Sequence, residues 1–160
     1  MSKLSYGPYC LHKNSVIAKF IKDGLLKSEL TIYGDGRQTR DFIHVDDICQ
    51  AIYLILNPLP LQSSNKIWGT PFHLGTGKET SILDLANLVR HLFDKEIRIT
   101  FAPPRKGEIK RNYSDISKAK RVLGFSPQIS FKDGVEAVYN WFLSKDIEEV
   151  RNAEVLSGSE

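Results

Sequence analysis

Two arginines stand where loops and strand ends meet, and arginine there suggests anion chemistry. Arg40 enters an extended stretch soon after a glycine turn, and Arg105 lies between prolines and a glycine. A guanidinium grips phosphate oxygens through paired hydrogen bonds. Alone, such arginines are ordinary. Gly75-Thr76-Gly77-Lys78 invites a phosphate-loop reading, but Phe72 and Glu79 occupy the positions that need Gly and Ser or Thr. It is read instead as a glycine-rich turn between a strand and a helix. Gly34-Asp35-Gly36 is too short for a dinucleotide fingerprint, and no Gly-x-Gly-x-x-Gly occurs anywhere.

Tyr9 and Lys13 fit a Tyr-x-x-x-Lys pattern, which does acid–base work when both residues share a helical face. Pro8 precedes the tract and no helical periodicity surrounds it, so the match is coincidental. His12, His44, His73 and His91 show no ligand spacing, so no metal site is expected. Asp46 and Asp47 look like a carboxylate pair, but capping of the next helix explains them.

These residues need elements to hold them, and the chain supplies alternating helices and short strands. Asn14 or Ser15 caps a helix whose face is Val16, Ile17, Phe20 and Ile21, with Gly24 interrupting it late. Leu30 to Tyr33 reads as a strand, and Gly34-Asp35-Gly36 as its turn. Asp41 to Val45 is a second strand, followed by a helix through Ile48, Ala51, Ile52 and Ile55 that Pro58-Leu59-Pro60 ends. Ser63-Ser64-Asn65 is an exposed loop. Pro71 to Leu74 reads as a strand, and Thr80 and Ser81 cap a helix through Leu92. Ile97 to Phe101 alternates as a strand, and residues 103–108 form a loop. Asp115 caps a helix that Gly124 stops, and a last helix runs from Phe131 through Phe142. Beyond Lys145 the chain reads as a frayed polar tail.

The chain has 160 residues, 41% hydrophobic and 26% charged, with a net charge of +3. These values suit one globular domain or part of a larger one, and exclude a wholly disordered, collagen-like or disulfide-scaffold chain. Basic residues alternate with acidic ones, so no nucleic-acid partner is expected. Nothing requires Cys10 and Cys49 to pair, and Cys49 is read as a small hydrophobe in an apolar helical run. No apolar stretch approaches the ~20 residues of a membrane span, and no secretory leader is expected. A cytoplasmic location with no membrane partner is the expectation.

Read in order, Tyr6-Gly7-Pro8, Leu30 to Gly36, Gln38 to Asp47, His73 to Gly77, Arg105 to Glu108 and Tyr113 to Lys120 carry a specific resemblance. The series resembles the C-terminal, substrate-binding half of extended short-chain dehydrogenase/reductases acting on nucleotide sugars, above all UDP-glucose 4-epimerase-like proteins. The resemblance implies a small mixed α/β domain of short strands and helices, without its Rossmann half. It implies a nucleotide-sugar-binding domain at 6–145 and a polar tail at 146–160.

It also implies roles. Tyr33 would pack against the base, with neighbouring main chain on the base edge. Arg40 and Arg105 would clamp the pyrophosphate, and Glu108, where epimerases often carry Asp, would bind ribose hydroxyls. Tyr6 to Pro8 would border the crevice near the nicotinamide and sugar, so Tyr6 and Pro8 are cofactor-side candidates. His73 is a substrate-side candidate at a position that is often Asn. Two further departures are Leu4, where the family has Asn, and a short segment from Tyr9 to Ser15.

The family's glycine fingerprint and catalytic Tyr-x-x-x-Lys are missing, so the resemblance is to a fragment. NAD would belong to the complete enzyme; none is expected on this chain alone, which would be catalytically silent. The expected partner is a UDP-sugar or related nucleotide sugar, with self-association through the surface that truncation exposes. Other readings are a nucleotide-sugar 4,6-dehydratase or decarboxylase fragment, or a non-catalytic binding module.

Overall fold

The computed structural model describes residues 5–57 and 67–157. The expected helix stop at Pro58-Leu59-Pro60, the loop at Ser63-Ser64-Asn65, and Leu4 lie outside the described residues. The chain enters on a two-residue strand, β1 (Ser5–Tyr6). Ser15 then holds extended backbone and its Oγ accepts the Ala18 N–H at 3.4 Å, which starts α1 (Val16–Lys27). Ile17, Phe20 and Ile21 are its buried face. The helix runs through Gly24 instead of breaking there. A Cβ at Gly24 would collide with the Phe93 ring, so glycine serves a close approach.

β2 (Glu29–Tyr33) buries Leu30 and Ile32 and leaves its alternate residues partly exposed, as a two-residue period requires. β3 (Thr39–Arg40) and β4 (Ile43–His44) follow. The expected strand through Val45 ends early, because α2 (Val45–Leu56) has already begun. Its cap is His44, whose Nδ1 accepts the Asp46 N–H at 3.3 Å. Asp46 and Asp47 therefore lie in the first turn and not at the cap. There their charge still complements the helix N-terminus. Asp47 is buried and accepts the N–H groups of Gln128 at 2.7 Å and Ile129 at 3.4 Å.

Residues 71–74 form no strand; Phe72 and Leu74 pack instead against a core cluster containing Ala51 and Leu123. β5 (Thr80–Ser81) leads into α3 (Ile82–His91), capped by Ser81, whose Oγ accepts the Asp84 N–H at 3.0 Å. β6 (Arg98–Ala102) and β7 (Arg111–Asn112) complete the strands. α4 (Ser117–Leu123) ends at Gly124 as expected, but Asp115 lies one residue before the cap position and accepts the Ser117 N–H at 2.9 Å. α5 (Phe131–Leu143) starts at Ser130.

Residues 147–157 of the expected frayed tail instead form a helix, α6 (Ile147–Ser157), packed against α1, and residues 158–160 lie outside the described residues. Val150 and Ala153, one helical turn apart, are both buried. Burying a side chain such as Val contributes roughly 1.5–3 kcal/mol, enough to hold a short segment down.

Among the described residues the strands form three small sheets. β1 pairs with β4 in parallel, β2 with β6 in parallel, and β3 lies between antiparallel β5 and parallel β7. The main core joins α1, β2, α3, α5 and α6, and a second one gathers Ile43, Ala51, Ala119 and Phe125. This is a small mixed α/β domain of short strands and helices. Both cysteines are free: Cys10 is buried, but Cys49 is exposed on α2 and not in the core. Among the described residues no helix is long and apolar enough to cross a membrane.

Candidate functional site

Tyr33 ends β2, and its register partner Ala102 ends β6. The loop from 103 to 110 therefore starts beside Tyr33. β7 returns parallel to β3, with Thr39 opposite Arg111 and the Thr39 N–H on the Lys110 carbonyl at 2.9 Å. That register brings Glu108 and Ile109 alongside Arg40.

The Arg40 guanidinium is then held on three sides. Its Nη1 donates to the carbonyls of Ile109 at 2.7 Å and Thr39 at 2.8 Å, and its Nη2 to Glu108 Oε1 at 3.3 Å. Arg105 lies across the Tyr33 ring, with Cζ 4.0 Å from the ring centroid. Gln38 Nε2 donates to the Tyr33 carbonyl at 2.8 Å. Tyr33, Arg40, Arg105 and Glu108 line one cavity of about 530 Å³, together with Asn14 and Asn112. A cavity of about 1050 Å³ adjoins it and shares Tyr33, Gln38, Arg105 and Glu108. Two guanidinium groups, a carboxylate and an aromatic face offer, in one place, charge for phosphate, an acceptor for hydroxyls and a stacking surface.

The remaining candidates lie elsewhere. His73 is exposed and lines a separate cavity of about 530 Å³ beside Asp41 and Ser114. Tyr6 is buried among Phe42, His44 and Phe131, its ring edge-on to each. Burial, with Asp47 and Asp133 nearby, pushes its hydroxyl pKa well up. Neither Tyr6 nor the half-buried Pro8 lines the cavity that holds Arg40.

Sequence reasoning missed Asp41. Its side chain is 1% exposed and accepts four hydrogen bonds. Oδ1 takes the N–H and the hydroxyl of Thr76 at 2.8 and 2.5 Å, and Oδ2 takes the N–H groups of Gly77 at 3.0 Å and Ser114 at 3.1 Å. A Cβ at Gly75 would stand 2.5 Å from Asp41 Oδ2, so that glycine lets the turn close on the carboxylate. A glycine turn after an unassigned acid was the available signal.

This arrangement also decides how the chain fits a dinucleotide. The turn most like a phosphate loop has the Thr76 and Gly77 amides aimed at Asp41. A pyrophosphate there would meet a buried carboxylate, and the sequence holds no second glycine-rich turn of dinucleotide type. That turn therefore does not fit the pyrophosphate of NAD. No group of three or more His, Cys, Asp or Glu among the described residues could hold a metal ion.

Comparison with known proteins accords with this geometry. Residues 5–138 match the family described as GDP-mannose 4,6 dehydratase. A UDP-glucuronic acid decarboxylase of Arabidopsis thaliana is 32% identical over 146 residues, 91% of this chain and 32% of that protein. The UDP-glucose 4-epimerase of Thermotoga maritima, solved with UDP-glucose, superposes with a TM-score of 0.73 at 31% identity over 87% of this chain and 43% of that one. The UDP-glucuronic acid 4-epimerase of Bacillus cereus, solved with UDP-glucuronic acid and NAD, gives 0.75 at 33% identity, covering 87% and 42%. The chain thus spans less than half the length of these relatives. The match over residues 5–138 and the shared fold place the chain in the GDP-mannose 4,6-dehydratase family, among the nucleotide-sugar epimerases, dehydratases and decarboxylases.

Proposed function

We propose that this chain is the substrate-binding portion of a nucleotide-sugar enzyme, UDP-glucose 4-epimerase-like, and that it binds the nucleoside diphosphate of a UDP-sugar. The observation that carries this is the convergence of Tyr33, Arg40, Arg105 and Glu108 on one cavity. In this reading the base packs on Tyr33, the two arginines hold the pyrophosphate, and Glu108 accepts from ribose hydroxyls. The Tyr33 carbonyl accepts from Gln38 and keeps a second lone pair, so it and the neighbouring main chain can read the base edge.

The chemistry at the sugar needs NAD and an acid–base tyrosine, which this reading assigns to a second half. The chain alone is then catalytically silent and binds no NAD. In the cell it is assigned to the cytoplasm. α2 exposes Ile52, Tyr53 and Leu56 at 49%, 64% and 62%, an apolar patch suited to that second half or to self-association.

A second reading concerns the sugar. The relatives include proteins named for UDP-glucuronic acid, both decarboxylases and 4-epimerases, which favours a uronic acid as the alternative to glucose. Calorimetric titration of the chain with UDP, UDP-glucose and UDP-glucuronic acid tests both. Binding of all three, weakening as salt rises, supports the phosphate assignment; no binding of UDP at millimolar concentration overturns it. Saturable NAD binding by the chain alone would overturn the assignment of the cofactor to a second half.

A further inference from the structure

The two arginines of the site are held very differently. Arg40 is fixed by the Thr39 and Ile109 carbonyls and by Glu108. Arg105 stands on an exposed loop, and among the described residues its guanidinium has one partner, the face of Tyr33. The loop around it turns on Gly107 at φ +77°, with the Glu108 N–H on the Arg105 carbonyl at 3.3 Å. Its backbone is therefore set, while among the described residues no hydrogen bond or ion pair ties its guanidinium. The guanidinium also lies where the two adjoining cavities meet, since both are lined by Tyr33 and Arg105.

A flat guanidinium on an aromatic face occupies the surface that a stacking base needs. We propose that Arg105 is a specificity-determining residue that competes with the base for Tyr33 and leaves the ring only when phosphates receive it. The inference rests on the nucleotide reading above and deepens it. A nucleoside must displace Arg105 and gives it nothing in return. A nucleoside diphosphate displaces it and offers charge-assisted hydrogen bonds instead. The site thereby favours phosphorylated ligands by more than the attraction of Arg40 alone.

The test is titration of the isotope-labelled chain with uridine and with UDP, followed by the amide resonances of Gly34 and Ala102. The wild type is compared with Arg105→Ala, a substitution on an exposed loop. The expected changes have opposite signs. Uridine binds about two- to fivefold tighter to the variant, because an exposed cation–π contact no longer opposes it. UDP binds at least about tenfold weaker, because a phosphate partner is gone. A second readout is the Arg105 δ-proton resonance, shifted upfield by the Tyr33 ring in the free chain and released on adding UDP. Tyr33→Leu abolishes that upfield shift. Uridine binding that is unchanged or weaker in Arg105→Ala overturns the proposal, as does an upfield Arg105 signal that persists in the UDP complex. If UDP shifts no resonance of the wild type, the nucleotide reading itself fails, a result distinct from either of these.

Discussion

Arg40 and Asp41 are neighbours in sequence, yet their side chains serve different partners. Arg40 reaches Glu108 and the Ile109 carbonyl, while Asp41 reaches Thr76, Gly77 and Ser114. Successive residues of an extended chain point to opposite sides, which explains the division. One dipeptide thus ties the loop after β6 to one side and the 75–77 turn to the other. Arg40 pairs with Glu108 and not with Asp41.

Asp41→Asn should destabilise the domain. An amide nitrogen cannot accept a hydrogen bond, so at least one of the N–H groups of Thr76, Gly77 and Ser114, which meet a buried carboxylate in part-buried bonds, loses its partner. Each unmet buried donor costs about 1–3 kcal/mol. Urea unfolding should show a loss of about 2–4 kcal/mol with little change in slope. A loss below about 0.5 kcal/mol would mean that the turn is held by other contacts.

Arg40→Lys should weaken UDP binding by about tenfold while leaving the fold intact. An ammonium carries the charge but not the fork that meets two carbonyls, Glu108 and a phosphate together. Calorimetry at low and high salt measures this, and the loss should persist at both, because geometry and not charge has been removed. Unchanged affinity would dismiss Arg40 from the phosphate role.

Gly24→Ala reverses a general rule. In an exposed helix interior, Ala is better than Gly by about 1 kcal/mol. Here the new methyl meets the Phe93 ring, which is itself packed edge-on against Tyr139 at 5.0 Å. Overpacking of this kind costs about 1–3 kcal/mol, so the variant should be less stable than the wild type. Adding Phe93→Leu should recover part of the loss in a double-mutant cycle, and the absence of coupling would place the strain elsewhere.

The elements were legible where local chemistry sets them. Ser15 and Ser81 cap helices because a hydroxyl beside an apolar period suits that position, and Gly124 stops α4; the Ser130 cap of α5 was not read. The His44 cap was not legible, since imidazole is not among the usual capping groups and the two aspartates after it are. α6 was missed because, among its residues whose burial is described, Val150 and Ala153 anchor it, too few for a visible period. The site was readable in part: motif order singled out Tyr33, Arg40, Arg105 and Glu108, which share a cavity. It could not reveal that Arg105 rests on Tyr33, or that Asp41 finds partners 35 to 73 positions away. Those are products of strand register, which a single sequence does not display.

The last prediction concerns acid. Glu79 accepts from Arg111 Nε and Nη2 at 2.8 and 2.7 Å and from the Thr39 hydroxyl at 2.7 Å. These bonds, Arg111 foremost, bring its carboxyl pKa from an ordinary 4.5 down to about 2. A carboxylate whose pKa is lowered by folding adds stability that is full above its unfolded value and disappears as pH falls through the folded one. The contribution should therefore be present above about pH 4.5 and be lost between there and about pH 2. Arg111→Gln removes the main cause, so its stability should fall less steeply than the wild type's across that window. The two curves should converge at the acid end. Urea unfolding at closely spaced pH values measures the difference, and parallel curves from pH 5 to 2 would show that the pair adds nothing to folding.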